Sequence, residues 1–142
     1  MKETKQIIKK IEVAAGILTN NGQILCLQRG KGKYDYISNK YEFPGGKLEP
    51  GEKPAAALQR ELAEEMNIDV NISDSDYYMT VLHDYPDFAI TMHCFICTLN
   101  NRKFDLVEHI ALQWLNSDQL DQLDWAEADQ PIVRRLMEDK FQ

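Results

Sequence analysis

The sequence predicts an α+β domain in which a mixed β-sheet is flanked by helices. Segments of strand character clearly outnumber helical ones, one amphipathic helix lies in the middle of the chain, and no repeat or linker interrupts the 142 residues. A chain of this length is close to the commonest size for one domain and can bury a core without disulfides. We therefore expect a single domain over residues 1–142, with residues 1–9 as a short N-terminal tail.

The first half of the chain opens with a predicted β-hairpin. Residues 11–19 and 23–28 are apolar and partly β-branched, and the turn sequence Asn20-Asn21-Gly22 separates them. Three further segments follow from composition: a polar loop over 29–40, a short extended piece over 41–43 that ends at Pro44-Gly45-Gly46, and a second loop over 47–52.

The mid-chain helix is predicted over residues 53–66. Pro54 suits the first turn, where its missing N–H costs nothing. The apolar residues recur at spacings of three and four and form one face, which comprises Ala55, Leu58, Leu62 and Met66. Asn67 can end the helix, because Asn is the commonest substitute for Gly in a left-handed C-terminal cap.

The second half is predicted to contain three strands and two helices. Asp84-Tyr85-Pro86-Asp87 is a turn between the first two strands, Ser117 is a candidate cap for the short helix, and Pro131 suits the first turn of the last helix. The segments are strands over 77–83, 89–99 and 110–115, and helices over 118–123 and about 131–140.

Composition excludes several classes of protein. The net charge of −7 argues against a general positive field for nucleic acid, although a nucleotide can bind if a cation screens its phosphates. No apolar run is long enough to span a membrane. Three cysteines without an export signal indicate reduced thiols in the cytoplasm. Cys94 and Cys97 lie three residues apart on a predicted strand, so their side chains should point to opposite faces of the sheet. This spacing argues against a metal or redox site formed by both thiols.

Three glutamates of the mid-chain helix carry the strongest chemical signal. Glu61, Glu64 and Glu65 lie within an arc of about 100°. Like charges at these spacings repel, so a helix without a ligand gains nothing from them. A bound Mg²⁺ would turn this repulsion into a net attraction, because Mg²⁺ prefers oxygen ligands. It takes substrate phosphates at its remaining coordination positions. For the glutamates alone, a solvated acidic face is the simpler interpretation.

The surrounding pattern changes this interpretation. Two glycines and a further acid precede the helix, and the spacing is Gly46-x5-Glu52-x7-Arg60-Glu61-Leu62-x-Glu64-Glu65-x-Asn67-Ile68. This stretch resembles the Nudix box, whose defined positions it matches except that Asn67 stands where the family has Gly. Asn is tolerable at a helix cap, so the departure affects only local backbone flexibility.

The resemblance covers most of residues 10–138 and is nearest to two subgroups. The segments Asn39 to Lys47, Tyr85 to Asp87 and Asp129 to Pro131 are similar to MutT-type enzymes, which remove oxidised nucleotides and so serve mutation avoidance. Glu108-His109, followed by Ala111 to Trp114, is similar to CTP pyrophosphohydrolases. The fold that the resemblance implies is the α/β/α sandwich of the Nudix family.

Catalytic and metal-binding roles follow from this resemblance. It implies that Mg²⁺, or Mn²⁺ in its place, is held by the carbonyl of Gly45 and by the three box glutamates. Arg60 would orient the box carboxylates, with Glu52 supporting it or the metal site. The general base would be a box glutamate such as Glu64 or a loop glutamate, for which Glu108 is the candidate. His109 is a weaker candidate, because nothing in the pattern requires it.

Substrate contacts are implied at four positions. Arg29 would bind phosphate, with Lys31 and Lys33 in the same loop. Phe43 would border the base or belong to the core, and Asp87 would also contact the substrate. Asp129 would bind the base edge or cap the last helix. If neutral, Asp129 could donate to an oxidised purine; if ionised, it could only accept, for instance from a cytosine amino group. Trp125 would line the same pocket or simply pack.

The expected reaction is hydrolysis of a nucleoside triphosphate to the monophosphate and pyrophosphate. An oxidised purine such as 8-oxo-dGTP is the favoured substrate, and CTP, dCTP or a modified pyrimidine is the alternative. A dinucleoside polyphosphate fits the compact chain less well. A non-catalytic Nudix-like binding module would lack the helix glutamates, which are all present here. We expect a monomer or a homodimer that binds neither nucleic acid nor membrane.

Overall fold

Seven strands form one mixed sheet in the computed structural model, which describes residues 8–141. The strands are β1 (Lys9–Asn20), β2 (Gln23–Arg29), β3 (Tyr41–Glu42), β4 (Gly45–Lys47), β5 (Tyr77–Asp84), β6 (Phe88–Thr98) and β7 (His109–Leu115). The α-helices are α1 (Pro54–Met66) and α2 (Gln130–Glu138), and short 3-10 helices cover Asp74–Asp76, Ser117–Gln122 and Glu127–Asp129.

Strand order explains why the sheet is mixed. The main path is β3-β2-β1-β6-β5, with β4 paired to β1 and β7 paired to β2. β1 and β6 run parallel, with a register from Lys9 opposite Phe88 to Thr19 opposite Thr98, and the other pairs are antiparallel. β1 thus lies in the interior of the sheet, which agrees with its continuous apolar sequence.

The predicted hairpin of β1 and β2 is confirmed. Asn21 and Gly22 both have positive φ, at 52° and 75°, as the tightest hairpin turns require. The two strands pair only beside the turn, where Thr19 faces Ile24 and Asn20 faces Gln23. Further along, β1 pairs with β4 and β2 pairs with β3. The chain between β3 and β4 therefore lies at the centre of the sheet.

The helices cover opposite faces of the sheet, and this confirms the α/β/α sandwich. Alternate residues of β1 and β2 belong to separate cores. On one side Ile17, Ile24 and Cys26 pack with α2. On the other side a second set packs with α1; it includes Ala14, Leu18, Leu25, Leu27, Leu58 and Leu62.

Helix ends agree closely with the sequence. α1 begins at Pro54, one residue after the predicted start, and Asn67 ends it in the left-handed conformation at φ 56° and ψ 37°. The N–H of Ile68 then donates to the carbonyl of Leu62 at 3.0 Å, as in a left-handed cap. α2 begins one residue earlier and ends two residues earlier than predicted.

Two local predictions need correction. The short helix near residue 118 is a 3-10 helix over Ser117–Gln122, and its cap is Asn116 rather than Ser117. The Asn116 N–H donates to Oε1 of Gln119 at 2.9 Å, so the chain turns one residue earlier than expected. Asp129 does not cap α2 with its side chain, because its carboxyl bonds elsewhere.

The remaining sequence expectations concern the thiols and the N-terminal tail. Cys94 and Cys97 are buried in different cores, on opposite faces of β6, as predicted. Burial raises the pKa of Cys97 to about 12. Most of the predicted tail, residues 1–7, lies outside the described residues, and β1 begins at Lys9. Within residues 8–141 no helix has the length and apolar character needed to cross a bilayer.

Candidate active site

Helix α1 directs its glutamates toward the glycines of β4. Gly46 lies so close to Glu61 that a Cβ on it would overlap the Glu61 carboxyl group. Gly45 is equally constrained by β1, because its Cβ would overlap the backbone of Ala14 and Ala15. Both glycines are therefore required for close approach, one of strand to strand and the other of strand to carboxylate.

Arg60 organises the acidic face of α1. Its guanidinium donates two hydrogen bonds to Glu52, Nε to Oε2 at 2.8 Å and Nη2 to Oε1 at 2.9 Å. Nη1 donates to Glu61 at 3.0 Å and to Glu64 at 3.1 Å. The bidentate pair with Arg60 lowers the pKa of Glu52 to about 2, and the same bonds raise the pKa of Arg60. Glu52 therefore supports Arg60, which in turn orients two box glutamates.

Glu65 faces a second carboxylate instead of a cation. The charge of Glu108 raises the pKa of Glu65, with smaller contributions from burial, from a hydrogen bond with Glu108 and from the charge of Glu64. The loop before β7 thus brings Glu108, the loop candidate for the general base, next to the helix. Two carboxylates held together in this way are stabilised by a shared proton or by a cation.

The donor set fits a hard divalent cation. It consists of carboxylate oxygens close to the backbone of β4, where the missing Cβ of Gly46 lets the Glu61 carboxyl group approach. Within residues 8–141, no group of three or more Asp, Glu, His or Cys side chains is arranged closely enough to hold a metal ion. Arg60 accounts for this, because it draws Glu61 and Glu64 toward itself. The residues present therefore suit a hard divalent cation by their chemistry, and two of its candidate ligands are bonded to Arg60 in this structure.

A cavity of about 660 Å³ opens beside the glutamates. Its apolar wall is formed by alternate residues of β1 and β6 together with aromatic side chains, namely Ile11, Val13, Ile90, Met92, Tyr34 and Phe88. Five basic side chains lie around the same cavity, which is notable in a chain of net charge −7: Lys9, Arg29, Lys31, Lys33 and Lys47. An apolar wall beside a basic rim suits a base joined to phosphates.

Asp129 lies buried in the wall of this cavity, with 5% of its surface exposed. Its Oδ1 accepts the backbone N–H of Phe43 at 3.1 Å. Burial raises the pKa of Asp129 well above its usual range, and the charge of Glu42 adds to this. The Phe43 N–H and Arg29 oppose the shift without cancelling it. The raised pKa favours the neutral form of Asp129, and one oxygen of its carboxyl group is already engaged by the Phe43 N–H.

The predicted substrate residues occupy different positions. Arg29, Phe43 and Asp129 line the cavity. Phe43 also belongs to the core, because it stacks on Trp125 with ring centroids 4.6 Å apart. Trp125 packs, and its indole N–H donates to the carbonyl of Leu120 at 2.6 Å. Asp87 lies outside the cavity lining, and its carboxylate accepts the hydroxyl of Tyr36 at 2.7 Å.

Sequence reasoning missed part of this site. Tyr34 and Phe88 both line the cavity, with rings 5.6 Å apart, yet one lies in an irregular loop and the other begins a strand. Glu42 also lines the cavity, where it accepts hydrogen bonds from Arg29 and from His109. Glu42 lies inside the segment that resembles MutT-type enzymes, and this position is the one feature of the sequence that could have indicated it as a site residue.

Comparisons with known proteins agree with this geometry. A family model described as the NUDIX domain matches residues 13–135. The 8-oxo-dGTP diphosphatase of Escherichia coli K12 is 30% identical over 91% of this chain and 98% of that protein. The CTP pyrophosphohydrolase of the same organism is 32% identical over 92% and 93%. The solution structure of MutT from methicillin-resistant Staphylococcus aureus 252 has 36% identity and a TM-score of 0.72, over 94% of this chain and 99% of that one.

Proposed function

The chain belongs to the Nudix family, and from this premise we propose that it hydrolyses nucleoside triphosphates to the monophosphate and pyrophosphate, with oxidised purine nucleotides such as 8-oxo-dGTP preferred. One observation carries the proposal. Gly45, Glu108 and His109 line both the large cavity and the small groove that reaches Glu61 and Glu65. A nucleotide seated in the cavity would therefore place its phosphates beside the carboxylates.

The box residues would hold the cation that this chemistry needs. Mg²⁺, or Mn²⁺ in its place, would be bound by Glu61, Glu64 and Glu65 and by the carbonyl of Gly45. When bound, the ion supplies charge neutralisation and a site for the attacking water. We propose Mg²⁺ because it binds hard carboxylate oxygens and takes the phosphate oxygens of a nucleotide as further ligands.

The chain's own residues would then perform four tasks. Arg60, held by Glu52, keeps Glu61 and Glu64 oriented on one face of α1. Glu64 or Glu108 accepts the proton of the attacking water. Arg29 and the lysines of the rim bind the phosphate oxygens and offset the charge that develops there. The apolar wall excludes water from the base, so that only the phosphates meet the carboxylates.

The preference for an oxidised purine rests on Asp129. The raised pKa of Asp129 favours a protonated carboxyl, and because Oδ1 accepts the Phe43 N–H, the proton would lie on Oδ2, where it could be donated to a base in the cavity. An O–H donor matches O8, the carbonyl oxygen that 8-oxoguanine has and guanine lacks, whereas the amino group of cytosine is itself a donor and needs an acceptor. The substrate contact predicted for Asp87 remains a prediction.

One relative supports a second candidate. The E. coli CTP pyrophosphohydrolase matches this chain as well as the diphosphatase does. Glu108-His109 and the segment that follows resemble that subgroup. Hydrolysis of CTP or dCTP is therefore the alternative, and it requires Asp129 to accept a hydrogen bond from the base.

The reaction itself is tested by the products. Purified protein should convert 8-oxo-dGTP with Mg²⁺ into the monophosphate and pyrophosphate in equal amounts, with no orthophosphate, and EDTA should stop the reaction. Orthophosphate as the first product would mean attack at the γ-phosphate and would overturn the proposal. No turnover of any nucleoside triphosphate with Mg²⁺ or Mn²⁺ would overturn it as well.

A further inference from the structure

Glu42 connects two side chains that line the cavity. Its Oε1 accepts Nη1 of Arg29 at 3.3 Å, and its Oε2 accepts Nε2 of His109 at 2.9 Å. The three residues come from three strands, β3, β2 and β7. Both oxygens of one carboxylate are thus used to hold two cationic or polar groups, an arrangement stronger than a neutral hydrogen bond.

The strand register places this trio on the α1 face of the sheet. Glu42 lies opposite Leu27, which packs with α1, and Arg29 lies two residues further along the same strand. Cross-strand partners and residues two apart share a face. A break in register brings His109 opposite Arg29 and leaves Ile110 as the extra residue. Such a bulge re-aims a side chain, and here it turns His109 toward Glu42.

The trio stands where the cavity meets the glutamates. His109 lines both the cavity and the groove beside Glu61 and Glu65, and its side chain is only 14% exposed. Glu42 is 22% exposed and Arg29 is 42% exposed. Among the described residues, Nδ1 of His109 has no hydrogen-bond partner. The ring is therefore fixed through one nitrogen while the other is left for a ligand.

We propose that Glu42 is a positioning residue that holds Arg29 and His109 so that both contact the substrate phosphates at the junction of the cavity and the glutamate groove. The inference rests on the proposed function. Arg29 alone is a long side chain with many rotamers, and fixing it before binding lowers the cost of ordering it. The Glu42 carboxylate accepts the Nε2 proton of His109, so Nδ1 can donate to a phosphate oxygen only when the ring carries a proton on both nitrogens.

The test compares two carboxylates that hold histidines on the same sheet. Glu42→Gln keeps the size of the side chain but cannot accept from both neighbours. Glu12→Gln is the matched control, because Glu12 accepts Nε2 of His93 at 2.7 Å and lies outside the cavity lining. We expect Glu42→Gln to lower kcat/KM by about tenfold or more, as loss of an outer partner of a site residue does. Glu12→Gln should stay within about twofold of the unmodified protein.

A double-mutant cycle separates positioning from a general structural role. If Glu42 acts through its partners, Glu42→Gln should cause little further loss of kcat/KM in a protein that already carries Arg29→Ala and His109→Asn. Two results would overturn the inference, provided that the unmodified protein turns over substrate. One is that Glu42→Gln lowers kcat/KM equally in both backgrounds. The other is that Glu42→Gln alone leaves kcat/KM unchanged. If the unmodified protein shows no turnover at all, the proposed function fails first, and the inference fails with it.

Discussion

Arg60 illustrates how single residues make an acidic site compatible with a stable fold. Three glutamates on one helical face repel one another, and Arg60 offsets this by bonding to Glu61 and Glu64. Its own position depends on Glu52, whose pKa falls to about 2 because of the bidentate pair. Glu52 therefore stays ionised across the physiological range. The Nudix box is thus a hydrogen-bonded unit as well as the proposed set of metal ligands.

At this scale we predict that Glu64→Gln keeps the fold and loses nearly all turnover. Glu64 is more than half exposed, and its one side-chain hydrogen bond within residues 8–141 is to Arg60 at the helix surface, so stability should change little. Loss of its charge removes a proposed ligand and base, and kcat should fall by about 100-fold or more. Kinetics and thermal unfolding of this variant are compared with Glu138→Gln on α2. Full activity in Glu64→Gln would refute the role assigned to the helix glutamates.

Elements whose contacts are local could be predicted from the sequence, and those joined at long range could not. Helix α1 follows from the spacing of Leu58 and Leu62 and ends at Asn67 as expected. The hairpin follows from the turn at Asn21-Gly22. The parallel pairing of β1 with β6 joins residues about 79 apart, and no periodicity encodes which strands become neighbours.

The two glycines of β4 give a prediction at the scale of the element. In Gly45→Ala the new Cβ meets the backbone of β1, which cannot move without breaking the pairing. In Gly46→Ala it meets the carboxyl end of Glu61, which can rotate away. We expect Gly45→Ala to lose about 1–3 kcal/mol of stability and Gly46→Ala to lose activity with little change in stability. Unfolding curves and kcat for both variants check this. Equal destabilisation by the two changes would contradict the assigned contacts.

At the scale of the whole molecule, the site is assembled from separated segments. The box glutamates could be predicted because they lie on one helix. The cavity could not, since Tyr34, Phe88 and Asp129 meet only after the strands pair. The state of Asp129 depends on that assembly, because burial and the nearby Glu42 raise its pKa. From its sequence neighbours alone, Asp129 was as good a candidate for the N-cap of the last helix as for a contact with the base.

Asp129 should make the stability of the protein depend on pH in a defined direction. In the unfolded chain its carboxyl ionises near pH 3.9, whereas the folded protein keeps the proton. Above that pH the unfolded state binds fewer protons than the folded state, so this residue's contribution to stability falls as pH rises toward its raised pKa.

Asp129→Asn should remove this dependence, because an amide does not titrate. Relative to the unmodified protein, the variant should gain stability as pH rises from about 4, by at most about 1.4 kcal/mol per pH unit. Urea unfolding at several pH values measures the difference, with the exposed Asp124→Asn as control. A constant difference between pH 4 and 7 would show that Asp129 titrates normally in the folded protein.

The claim that the cavity selects an oxidised purine is tested most directly by catalytic efficiency across nucleotides. Pyrophosphate release with Mg²⁺ is measured for 8-oxo-dGTP, 2-hydroxy-dATP, dGTP, CTP, dCTP, 5-methyl-dCTP and a dinucleoside polyphosphate. If Asp129 donates a hydrogen bond to O8, kcat/KM for 8-oxo-dGTP should exceed the values for dGTP and the cytidine nucleotides by about tenfold or more. A higher kcat/KM for CTP or dCTP would contradict the preference and assign the protein to pyrimidine hydrolysis.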